Sequence, residues 1–143
     1  MLPAWRAWCF AGGLASIVVA LLSPIGVFSS LFFFLHMTQH LLLIVVAAPL
    51  LWLGAPMLPM MWTLPKGLRL AVGRLLVSGS PLHRLFGLLT HPLLALTLFT
   101  GGLALWHVPA FYDAAQGRTV VHDLEHLVFL GTALLFWWPV IHP

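Results

Sequence analysis

Long apolar runs, separated by short polar stretches, set the pattern of this chain. Four of them predict transmembrane helices, over about residues 7–22, 27–53, 92–108 and 121–138, since a bilayer core takes about 20 apolar residues to cross as a helix. In the first, Gly12, Gly13, Ala15 and Ser16 give a small-residue face that lets another helix come close. The second, from Val27 to about Leu53, would rise about 40 Å, so tilt or interfacial ends are expected, and Pro49 predicts a kink near its far end. Ser23-Pro24-Ile25-Gly26 reads as the turn between the two. The predicted fold is all-α: one polytopic membrane helical bundle of about four transmembrane helices, spanning residues 1–143 as a single domain.

Between the second and third runs lie Lys66, Arg69, Arg74 and Arg84 with no acidic residue, and such a loop marks the cytoplasmic side. Lys66, Arg69 and Gly73 recur at helical intervals opposite Leu68, Val72 and Leu75, which predicts an amphipathic helix lying along the lipid interface. Counting spans from this loop puts both termini in the cytoplasm and the segment Ala110 to Val120 outside. Trp5, Trp8, Trp52, Trp62, Trp137 and Trp138 then fall near the inner interface and Trp106 near the outer one, as aromatic belts do.

Composition narrows the class. Of 143 residues 62% are hydrophobic and only 6% charged, with a mean hydropathy of +1.06, against about 25% charged in globular domains. With so few charges, the basic pI of about 10 reflects a handful of residues beside a membrane. There is no aromatic-interleaved basic patch for nucleic acid. Cys9 is alone, so no intrachain disulfide forms. The first run lacks a small-residue cleavage site and is expected to stay as a helix. No serine or cysteine triad and no phosphate-binding glycine loop is present, so no enzyme is expected.

Histidines interrupt this pattern. In "HMTQHLLL", His36 and His40 are four apart and share one helical face. His122 and His126 repeat that spacing at the start of the fourth run, and His107 closes the third. Topology brings all five to the outer side of the membrane. A single imidazole in a span is as readily a hydrogen-bonded packing residue, and one at an interface can meet headgroups. Five together point to a metal or haem, because ionisable groups in a bilayer are costly and default to function. Imidazole suits copper, zinc and iron alike. Neutral imidazoles also bring no net charge into the lipid.

Asp123 lies three residues before His126 and Glu125 three after His122, so each carboxylate can orient an imidazole from behind; acids near a helix N-terminus are also favoured by its dipole alone. Gln39 has to find a partner inside the span, and a hydrogen bond across helices suits it better than metal ligation. His83, His91 and His142 lie on the other side, and no site role is expected of them.

The order "HMTQHLLLIVVAAPLLWLGAP", "HPLLA", "WHVPAFYDAA" and "HDLEHLVFLGTALLFWWP" closely resembles the CtaG-type cytochrome c oxidase assembly family of bacterial multi-span proteins, from about Phe10 to Pro139. The resemblance implies a role in assembling a haem-copper oxidase in the bacterial plasma membrane, through copper handling for the oxidase's buried copper centre. An oxidase subunit is the implied partner, and His36, His40, His107, His122 and His126 match the family's histidines. Members usually continue past the Trp-Trp-Pro element, so this chain is expected to be a shortened member or a fragment, with unfinished faces that call for further helices or self-association. The alternatives from the residues themselves are a haem b electron carrier, pairing His36 or His40 with His122 or His126, a membrane di-iron oxygenase, and a plain structural subunit.

Overall fold

A computed structural model describes residues 3–29, 31–55, 61–77 and 79–142. The chain is all-α there. Helix α1 (Ala4–Leu22) runs straight into a short α2 (Pro24–Phe28), whose start is capped by Ser23, its hydroxyl oxygen accepting from the Ile25 N–H at 3.1 Å. The second span then begins at Phe33. It comprises α3 (Phe33–Leu41), a π-helical segment (Leu42–Ala47) and α4 (Ala48–Leu53). It is therefore shorter at its N-terminal end than the stretch expected from Val27, because Pro24–Phe28 forms a separate short helix and Phe32 is extended.

Helix α5 (Lys66–Leu76) carries Lys66, Arg69 and Arg74 and is exposed on nearly every side, as an interfacial helix should be. It leads through α6 (Pro81–Leu89) into α7 (Pro92–Trp106), the two meeting at a 65° bend. Val108-Pro109 then starts a short α8 (Pro109–Gly117), and α9 (Thr119–Ile141) closes the bundle. Ala4–Phe28, Phe33–Leu53 and Thr119–Ile141 are long and apolar enough to cross a membrane, and the bent α6–α7 pair supplies a fourth crossing if it counts as one span.

Small residues set how closely the helices approach. A Cβ on Gly13 would meet Leu51 Cγ at 3.0 Å, and one on Gly54 would come within 2.7 Å of Phe10 Cβ, so α1 and α4 touch nearly backbone to backbone. On the other side of the second span, Ile44 and Ala48 pack with Trp106, Ala115, Phe129 and Ala133 in the core shared with α7, α8 and α9. Phe99 stacks on Phe136 at 5.0 Å to tie α7 to α9.

Three tryptophans make contacts that a belt does not require. Trp106 is buried in the core. Trp52 and Trp137 are half-buried and cross-brace the second span and α9: Trp52 Nε1 donates to Leu134 O at 2.8 Å, and Trp137 Nε1 donates to Ile44 O at 2.9 Å. An indole N–H facing a neighbouring helix finds a backbone acceptor wherever the regular ladder leaves one free. Prolines at 49 and 139 loosen the ladder near both carbonyls.

Candidate metal centre

The second span and α9 cross so that their histidine pairs face each other. Within each pair the helical spacing brings the rings together at steep angles, with centroids 4.3 Å apart for His36 and His40 and 4.2 Å for His122 and His126. Across the seam, His36 lies 5.3 Å from His122 in a stacked arrangement, and His40 lies 5.2 Å from His126 and 6.5 Å from His122. The ring of Phe129, 4.7 Å from His40, floors the cluster. Tyr112, on α8, stands 6.1 Å from His36 at its outer edge and accepts from Gln116 Nε2 at 3.1 Å.

Glu125 joins them. Its side chain is 2% exposed and its Oε1 lies 3.9 Å from His40 Nε2. One donor atom from each of His36, His40, His122 and Glu125 lies within 4.8 Å of the other three. A tetrahedral shell with bonds of about 2.0–2.1 Å sets its ligand atoms about 3.3 Å apart, so each donor has about 1 Å to move at most. The residues fit an ion in a second way. Both ring nitrogens of His36, the Nε2 atoms of His40, His122 and His126, and Glu125 Oε2 are buried with no hydrogen-bond partner. Buried polar atoms are nearly always paired, and a cation would satisfy one lone pair on each neutral imidazole of the group and one on the carboxylate.

The expected site residues thus separate. His36, His40 and His122 supply donors to the four-residue group, while His126 packs against it with its own Nε2 buried. His107, capping α7, is exposed, and its Nδ1–H donates to Leu103 O at 2.7 Å, so it stands outside the four. Glu125, expected behind an imidazole, has its carboxylate among them. Asp123 is exposed. It lines, with Gln39, His122, His126, Leu21 and Leu43, an open cavity of about 520 Å³ beside the cluster. The amide oxygen of Gln39 is buried without a partner, so the hydrogen bond across helices expected of it is not formed by that atom. Position along α9 put Glu125 near the cluster; only the rotation of α9 against the second span turned its carboxylate inward.

No curated protein and no solved structure matches the chain significantly. The family model described as cytochrome c oxidase caa3 assembly factor matches residues 1–143, the whole chain. The four motifs fall on the helices that build the cluster and the seams around it, and by this match the chain belongs to the cytochrome c oxidase caa3 assembly factor family (Caa3_CtaG).

Proposed function

We propose that this assembly factor takes up copper at His36, His40, His122 and Glu125 and delivers it to a subunit of the haem-copper oxidase docked beside it in the membrane. The observation that carries this reading is the convergence of three imidazoles and a carboxylate from two spans, their donor atoms within 4.8 Å of each other. Copper is cargo here, so the site has to hold it and release it. Three neutral imidazoles and one carboxylate offer four donors with a single negative charge, which offsets much of the cost of bringing a cation into low dielectric. His126 and His107 flank the four and serve as further imidazoles on the way in or out.

The cluster faces outward in this reading. Lys66, Arg69, Arg74 and Arg84, all exposed, hold the connecting helices at the cytoplasmic surface; both termini are then inside and the histidines lie in the outer leaflet of the bacterial plasma membrane. The tight packing of the rings, 4.2 to 6.5 Å within and between the pairs, favours an ion over a macrocycle that needs a clear slot between its two axial ligands. A lone carboxylate in the group favours one ion over a di-iron pair.

The test is metal and haem analysis of detergent-purified protein, native and with His36→Ala. Copper near one ion per chain, lost in the variant, supports the proposal. Copper-free protein that carries haem rejects it.

A further inference from the structure

The azimuth of the His36–His40 pair depends on a helical irregularity immediately after it. Leu42–Ala47 winds as a π-helix, and the N–H of Ala48 closes onto Leu43 O, five residues back instead of four. The next acceptor in that register is Ile44 O. Its donor would be residue 49, a proline, which has no N–H. The indole of Trp137, reaching across from α9, donates to this carbonyl at 2.9 Å. A side chain from another helix thereby meets a carbonyl whose donor in the π register is missing.

We propose that Trp137 and Pro49 are positioning residues that hold the π register and thereby aim His36 and His40 at His122 and Glu125. Pro49 removes the N–H that would bond Val45 O in a regular α-helix, and Trp137 occupies the carbonyl left open by the wider turn. One surplus residue rotates everything before it by about 100° relative to everything after it. The cytoplasmic half of the span is anchored: Gly54 sits against Phe10 of α1, and Trp52 Nε1 donates to Leu134 O of α9 at 2.8 Å. The rotation therefore falls on α3. With the π turn in place its two imidazoles face the cluster; in an α register they face lipid or α1. The aim of the rings is independent of any metal, and only its consequence for loading rests on the copper reading.

Paired cysteines test it without metal. In a Cys9→Ser background, His36→Cys with His122→Cys replaces two rings 5.3 Å apart and is expected to link in high yield with a short bifunctional thiosulfonate. Adding Trp137→Phe or Pro49→Ala is expected to cut that yield at least fivefold. A control pair, Gly102→Cys with Val128→Cys, joins α7 to α9, where a Cβ on Gly102 lies 3.4 Å from Val128 Cγ1; its yield should not change in either variant. An unchanged 36–122 link in both variants overturns the proposal, and so does an equal fall in both links, which means loss of the bundle and not rotation of one helix. In the protein with its histidines intact, the same two variants should lose copper loading. Native protein that binds no copper removes the copper reading and leaves the cross-linking result to decide the geometry.

Discussion

The Nε2 of His40 and the Oε1 of Glu125 stand 3.9 Å apart in a region where both side chains are almost wholly enclosed, at 5% and 2% exposure. That gap is too wide for a hydrogen bond and suits two ligands of one ion. Glu125→Gln keeps the volume and removes the charge. Copper affinity, measured by competition with a chelator, should fall by at least the about 10–100-fold that loss of an outer-shell partner costs. The metal-free variant should melt no lower than the native protein, because an enclosed carboxylate without a partner is a liability. A large loss of metal-free stability would mean that Glu125 is a structural group.

The histidines should divide by position. His36→Ala and His122→Ala remove members of the four-donor group and should abolish stoichiometric copper. His126→Ala should weaken binding while keeping one ion per chain, and His107→Ala, at an exposed helix end, should leave both stoichiometry and affinity nearly unchanged. Equal effects at all four positions would contradict a site built from His36, His40, His122 and Glu125.

Copper should stabilise the fold and chelation should reverse it. Ligand at 100 times its Kd adds about 2.7 kcal/mol by mass action, visible as a rise in the melting temperature of detergent-solubilised protein. In His36→Ala the rise should vanish. A shift that survives in that variant would point to copper bound elsewhere.

The seam between α1 and the second span should tolerate no added carbon at Gly54. A Cβ there lies 2.7 Å from Phe10 Cβ and 2.9 Å from Phe10 backbone atoms. Gly54→Ala should cost about 1–3 kcal/mol, in the range of an overpacked interior. Gly101→Ala, where a Cβ meets nothing within 4 Å, should be near neutral. Thermal melts of the two variants side by side check this.

Much of the site was legible in the spacing of residues. The i, i+4 intervals of His36 with His40 and of His122 with His126 place each pair on one helical face whatever the surroundings, and topology carries both pairs to the same side of the bundle. Glu125 was not legible as a ligand. Its three-residue offset from His122 describes only its own helix, whereas the turn of its carboxylate towards His40 comes from how α9 is rotated against its neighbour. The π winding was not legible in its own residues either: Leu42 to Ala47 is uniformly apolar, and Pro49 announces an irregularity without giving its register. Trp52 and Trp137 read as interfacial anchors because tryptophan near the end of a span usually is one. Their hydrogen bonds are made to carbonyls of another helix, which no local pattern reports.

The brevity of α7 bears on where the cluster sits in its surroundings. Its 15 residues rise about 22 Å, some 8 Å less than a hydrocarbon core of about 30 Å. The nine residues of the helix before it, set at 65°, add about 6 Å along the same axis, so the broken pair together comes close to the full depth. Taken as one crossing, the pair would set His107, at the end of α7, near the edge of the hydrocarbon, and under the copper reading an entering ion would begin to lose its hydration shell there.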